Sequence, residues 1–359
     1  MNRILPRSRL ALVRVLCVLT LAVSPSLLSA PDGAAPKLFE ADGNLEVTIT
    51  APWQDLMRNS EYQGSYPATL TYTDSTGTDW SHDLTVERRG IKRQEVCKMP
   101  PIRLRFEKKE VAGSPFRGQD SLKMVTHCQK SERSDQYYIL EMLAYRMYNQ
   151  ITDFSFRVRP LSVTYKDSEG GRDEEDRFAF LIEDDSDVGK RNDLRKLEIP
   201  RVRTSQLEKS TSSEFALFQY MIGNTDWSAL AGPDPQECCH NVKLVAPRPF
   251  EEGDMIWPVA YDFDVSGIVD APYAAPPEGL GINSVTQRLY RGYCAHSETL
   301  PAARQKFLDK KADIMAVFDS DERLNARSKK RAVRFVERFY DILEDDGDFE
   351  RRVVKKCRK

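Results

Sequence analysis

The chain has 359 residues, with 53 Lys and Arg against 55 Asp and Glu and a formal net charge of −2. That balance argues against nucleic acid as the main partner, because a nucleic-acid surface announces itself as a strong basic excess. The length leaves room for two lobes sharing a cleft or for one large domain.

Residues 1–30 read as a secretory signal peptide. Arg3, Arg7, Arg9 and Arg14 precede a short apolar run at 15–23, and Ser24, Ser26, Ser29 and Ala30 follow it. The run is too short for a comfortable membrane span. Cys17 lies inside it, which argues against a lipoprotein anchor. No later stretch is long and apolar enough to cross a bilayer, so we expect no stable membrane anchor and a secreted or periplasmic destination. Loss of the leader's four arginines leaves 49 basic against 55 acidic residues. Six of the seven cysteines remain, namely Cys97, Cys128, Cys238, Cys239, Cys294 and Cys357. An even number suits disulfides in an oxidising compartment. The adjacent Cys238 and Cys239 could tie their loop to a distant segment such as that of Cys294. As zinc ligands, Cys238, Cys239 and His240 are poorly spaced.

Residues 38–183 predict a β-rich lobe with one helix. Segments 45–50, 68–72, 82–87 and 102–106 alternate apolar and polar residues, with turn formers such as 74–77 between them, as in a half-buried antiparallel sheet. Ser134-Asp135 caps a helix to about Gln150, with Leu140, Leu143, Ala144 and Met147 on one face. Two more strands follow at 157–165 and 178–182, joined by a charged tip at 168–176. Residues 184–350 predict a second, mixed lobe. A charged stretch, 184–203, leads into a helix with Phe215, Phe218 and Ile222 at helical spacing. A Pro- and Gly-rich loop at 271–279 precedes two amphipathic helices, about 302–318 and 325–343. The tail, 351–359, is basic and expected to fray unless Cys357 pins it. The fold class expected is α+β and two-lobed, with a β-rich N-terminal lobe and a mixed C-terminal lobe ending in helices.

The chemistry concentrates in three short segments. Ile222-Gly223-Asn224-Thr225-Asp226-Trp227, His240-Asn241 and Tyr261-Asp262-Phe263-Asp264 present acid, amide and acid in order. Phosphoryl transfer needs one carboxylate to orient the attacking hydroxyl, and an Asn and a second carboxylate to hold Mg²⁺ against phosphates. Taken singly, Asp and Asn beside strands are ordinary turn formers. As a set they gain weight, because each adjoins an apolar run, at 215–222, 242–245 and 256–260. Asp226 is therefore the candidate catalytic residue, and Asn241, Asp262 and Asp264 are candidate metal ligands. His240 reads as a hydrogen-bonding loop residue. No Gly-x-Ser-x-Gly elbow and no His-Glu-x-x-His helix occurs.

The order of elements resembles the spore-coat (CotH-like) atypical protein kinases. The residues that carry the likeness are Arg89-Gly90, the strand 101–108, Ser121-Leu122-Lys123, the Asp-led helix 135–145, the strand 178–183 ending in Glu183, Asn224-Thr225-Asp226, Asn241 and 261–264. The resemblance implies a kinase-like fold and an ATP-dependent transferase using Mg²⁺ or Mn²⁺ with a protein acceptor. It implies Lys123, or second Lys98, as the cation on the donor's phosphates, Glu183 near the nucleotide, and Glu141 paired with a lysine. The chain departs from the family after Gly90, where Ile-Lys-Arg-Gln-Glu replaces Gly-rich character. Two further readings stand beside it. One is a catalytically inactive exported binding or envelope protein. The other is a carbohydrate-associated module in which Asn241, Asp262 and Asp264 hold a structural Ca²⁺.

Overall fold

Period-two alternation builds the first half of the chain. In chain order the elements are β1 (Leu45–Ala51), α1 (Trp53–Arg58), β2 (Ser65–Thr73), β3 (Asp79–Arg88), α2 (Lys92–Val96), β4 (Ile102–Phe106), β5 (Ser121–Val125), α3 (Asp135–Asn149), β6 (Val158–Asp167) and β7 (Glu175–Ile182). The structure, a computed structural model, describes residues 1, 35–59, 61–90, 92–233 and 238–359. Apart from Met1, the expected signal peptide lies outside the described residues.

The seven strands close into a barrel in the order β1-β2-β3-β4-β5-β7-β6. Every neighbouring pair is antiparallel except the closing one, in which β1 runs parallel to β6 from Leu45 opposite Leu161 to Ala51 opposite Asp167. Closure removes both sheet edges and their unpaired backbone groups. Val47, Ile49, Leu70, Val86, Leu104, Leu122, Met124, Val163 and Leu181 fill the barrel's own core. Strand β7 is apolar on both faces: Ala179 and Leu181 belong to that core, whereas Phe178, Phe180 and Ile182 join the cluster that contains α3.

The second half contributes α4 (Asp185–Arg191), β8 (Arg195–Leu197), α5 (Lys209–Ile222), β9 (Val242–Ala246), β10 (Trp257–Ala260), α6 (Leu300–Asp309), α7 (Lys311–Ala316), α8 (Ala326–Glu344) and α9 (Asp346–Arg352). Strands β10, β9 and β8 form a small antiparallel sheet. Helix α5 is buried almost throughout and packs against β10, α6 and α8.

These facts correct the expected two-lobed kinase-like fold. The N-terminal strands are a closed seven-stranded barrel, accompanied by a small separate sheet and helices. A single apolar cluster also runs from Cys97 and α3 through α5 to Val353. Nothing in an alternating strand pattern signals that β1 will pair in parallel with a strand more than a hundred residues away, and that pairing closes the sheet.

The disulfides also differ from expectation. Cys294 pairs with Cys357, Cys97 with Cys128, and Cys238 with its neighbour Cys239, so the 238–239 loop is not tied to Cys294. The C-terminal tail does not fray. Cys357 holds it, and Arg358 donates its backbone N–H to Gly292 and accepts from that of Cys294.

Candidate functional site

Helix α5 delivers the first acid. It ends on Gly223, which adopts the left-handed conformation at φ 67°. A Cβ there would stand 2.9 Å from Phe335 Cζ and 3.2 Å from the Val285 carbonyl, so backbone conformation and packing both require glycine. Asn224 then accepts the Asp226 N–H at 3.0 Å through its side-chain oxygen, a local turn that aims the acid. Trp227, buried, anchors the loop by donating its indole N–H to the Asn224 carbonyl at 3.2 Å.

The Asp226 carboxylate is held on both oxygens. His240 Nε2 lies 2.7 Å from Oδ1, and Asn241 Nδ2 donates to Oδ2 at 3.1 Å and to the Asp226 carbonyl at 2.8 Å. The hydrogen bond that His240 gives to the Asp226 carboxylate raises the imidazole above its ordinary value, against a smaller opposing effect of burial. His240 is placed by a two-residue bridge with Ser228, formed by backbone bonds of 2.9 and 3.1 Å. The sequence reading of His240 as a hydrogen-bonding loop residue holds, and its partner is the candidate catalytic acid itself.

Asn241 and Asp262 are joined through the backbone, the Tyr261 N–H donating to the Asn241 carbonyl at 3.2 Å. Both residues have positive φ, 51° and 60°, an uncommon conformation for side chains other than glycine and one that gathers at functional sites. The Asp262 N–H donates to Tyr145 Oη at 3.0 Å. Burial, and then the neighbouring charge of Asp264, push the Asp262 carboxyl well above the usual carboxylate range. Burial acts on Asp264 in the same direction, but the Arg93 guanidinium, together with hydrogen bonds from Asp262 and Tyr273, outweighs it and holds that carboxyl low.

Arg93, on α2, joins the barrel side to these acids. Its Nε donates to Asp264 at 2.7 Å and its terminal nitrogen to Glu141 on α3 at 2.5 Å. All three side chains are nearly excluded from water, with exposures of 8%, 11% and 1% for Arg93, Asp264 and Glu141. Glu141 thus pairs with an arginine, not with the lysine expected. Sequence gave no hint of Arg93, which stands in a polar run without periodicity; only its buried contacts single it out.

The remaining candidates separate. Lys123 on β5 lies over the Tyr261 ring, 5.0 Å from its centroid, and 5.8 Å from that of Phe156. Burial pushes its ammonium below the ordinary lysine value. Lys98 is exposed and lies beside the Cys97–Cys128 bridge, its backbone N–H bonded to the Cys128 carbonyl. Glu183 is buried and engaged elsewhere, accepting from the Arg157 N–H at 2.9 Å and Arg191 Nε at 3.1 Å. Cavities of 460 and 520 Å³ open away from the acids, one beside Tyr220, Arg288 and Arg352 and one beside Phe39, Arg146 and Arg191.

Among the described residues no three His, Cys, Asp or Glu side chains converge as a metal cage. The donor set still suits Mg²⁺ better than zinc or a caged Ca²⁺, since Mg²⁺ takes one or two carboxylates and leaves its other positions to phosphate and water. Asp262 and Asn241 are the residues that would hold it, because Asp264 is already bonded to Arg93. Among the described residues no helix is long and apolar enough to cross a membrane. No family model matches the chain, and no curated protein matches it either.

Proposed function

We propose that this protein is an exported phosphotransferase that moves the terminal phosphoryl group of ATP, with Mg²⁺ or Mn²⁺, to a hydroxyl group of a protein acceptor. The observation that carries the reading is the bonded chain Asp226–Asn241–Tyr261–Asp262. It gathers a well-oriented carboxylate and a half-buried carboxylate whose charge the protein alone disfavours. A partly desolvated acid of that kind, beside a second acid, favours a cation, and perturbed groups of this sort gather at functional sites.

In this reading Asp226 orients the acceptor hydroxyl. His240 and Asn241 hold its two oxygens in place, so little reorganisation is needed when the hydroxyl arrives. Asp262 and Asn241 hold the metal, which when bound offsets charge on the phosphoryl oxygens. Arg93 keeps Asp264 ionised and fixed beside Asp262. Lys123 supplies positive charge to the donor's phosphates. Three disulfides and the absence of a membrane-spanning helix among the described residues agree with export.

The test is transfer of label from γ-labelled ATP to protein, with Mg²⁺ or Mn²⁺. Transfer is expected from the wild type and abolished by Asp226→Asn and Asp262→Asn, with both variants still folded by circular dichroism. No transfer from the wild type with either metal, or undiminished transfer by Asp226→Asn, overturns the reading.

A further inference from the structure

Three cations surround the Tyr261 ring. Arg89 donates to the phenol oxygen at 2.9 Å, the Lys123 ammonium lies 5.0 Å from the ring centroid, and the Lys243 ammonium lies 5.7 Å from it. They come from three parts of the chain: the end of the barrel's β3, its strand β5, and β9 of the small sheet. Among the described residues none of the three makes an ion pair within 4 Å. Among the described residues neither ammonium finds a hydrogen-bond partner, and the Arg89 Nε is a buried donor without one. Each ammonium carries three donors, and an aromatic face satisfies none of them fully.

The nearby acids are engaged elsewhere. Asp185 faces both lysines but is buried and paired with Lys196 at 3.4 Å. Asp184 caps α4 by accepting the Ser186 N–H at 2.9 Å. Asp262, which faces Arg89, shares its surroundings with Asp264 and Arg93. Arg103, opposite Lys123 across β4 and β5, adds a further positive charge. Like charges gathered this closely, with donors unused, are costly in the free protein and are relieved by an anion.

We propose that Lys243 and Arg89 complete, with Lys123, an anion subsite around Tyr261 that takes the phosphate chain of a polyphosphate ligand. The ligand carries several charges, because one monovalent anion cannot meet three separated cations. Nucleoside triphosphates and inorganic polyphosphate share that chemistry. The proposal rests on the phosphotransfer reading only in making this chain the donor; anion binding itself needs neither metal nor acceptor.

The experiment is isothermal titration calorimetry on the full chain without metal, using ATP and inorganic tripolyphosphate as separate probes. Lys243→Met is expected to weaken binding roughly ten-fold or more, the loss of a hydrogen bond to a charged group. Lys243→Arg should restore most of it, and Lys109→Met, an exposed control, should leave it unchanged. Tighter binding of ATP than of tripolyphosphate assigns the site to a nucleotide; equal binding assigns it to the phosphate chain itself. Without ligand, Lys243→Met should melt no lower than the wild type, because it removes an unpaired cation. Absence of binding by the wild type, wild-type affinity in Lys243→Met, or a lower melting temperature of the ligand-free variant overturns the subsite. Loss of binding in Lys243→Met, together with no label transfer by the wild type, would sink the transfer reading and leave the subsite standing. Wild-type binding by Lys243→Met, with transfer still dependent on Asp226, would do the reverse.

Discussion

Replacing Arg93 with Met should expose how the barrel side and the acidic turn are joined. The guanidinium bridges Glu141 and Asp264, and all three side chains are nearly dry. Removing the cation leaves two buried carboxyl groups uncompensated, and breaking a buried pair in this way costs about 3–5 kcal/mol. Against a typical total of about 5–15 kcal/mol, that is a large fraction of the stability. With a urea slope of about 3 kcal/mol/M, the unfolding midpoint should fall by roughly 1–1.7 M. The loss should depend on pH. In the wild type Arg93 holds Asp264 low, so that residue adds stability above its unfolded value and loses it as pH falls through the lower folded value. In Arg93→Met both carboxyls disfavour ionisation, as burial already makes Glu141 do in the wild type, so the deficit should be widest at neutral pH and should shrink as pH falls through their raised folded values, where they take up protons. Arg93→Lys should cost less than Met, yet not nothing, because one ammonium cannot reproduce the two-pronged fork. Adding Glu141→Gln to Arg93→Met should recover part of the loss. A deficit below about 1 kcal/mol, or one independent of pH, would refute the argument that Arg93 compensates the buried charge of these acids.

Other consequences are open to measurement. Asp262 has a raised folded value, so its contribution to stability is present at low pH and is lost as pH rises through that value. Asp262→Asn should therefore melt higher than the wild type at neutral pH in chelator and match it near pH 3; a lower neutral melting temperature would contradict this. His240 is also raised, so it favours the fold below its unfolded value and loses that effect as pH rises through the folded one. Asp226→Asn should lower the imidazole titration midpoint followed by NMR, and an unchanged midpoint would deny the hydrogen bond. Gly223→Ala should destabilise by about 1–3 kcal/mol in urea unfolding, since it meets both a positive φ and Phe335. A neutral effect would mean that the end of α5 can shift.

Much of the local structure was legible because it follows from periodicity. The strand at 102–106 falls where alternation places it, and the helix begins at Asp135 as expected, although the Ser134 side chain makes no capping hydrogen bond there; Asn325 does cap α8, accepting the Ser328 N–H. The helix expected over 302–318 is two helices, α6 and α7, meeting at Lys310. Apolar spacing continues across that junction, so pattern alone could not find it. Barrel closure was not legible, because pairing partners are a tertiary choice that alternation does not encode. The site was legible as its acids and amide: the adjoining apolar runs became α5, β9 and β10, which position Asp226, Asn241 and Asp262. Its cations were less so. Arg93 carries no pattern, although Lys243 interrupts the apolar run Val242-Lys243-Leu244-Val245 and gave a usable signal. A lysine inside such a run must either reach water or meet a charge.

The most direct test of the central claim is Mn²⁺ uptake followed by the paramagnetic resonance of the free ion, with and without ATP. The account predicts that the wild type removes Mn²⁺ from solution more strongly when ATP is present, and that Asp262→Asn and Asn241→Ala abolish that gain while remaining folded. Free Mn²⁺ unaffected by the wild type with ATP, or uptake equal in Asp262→Asn, would contradict it.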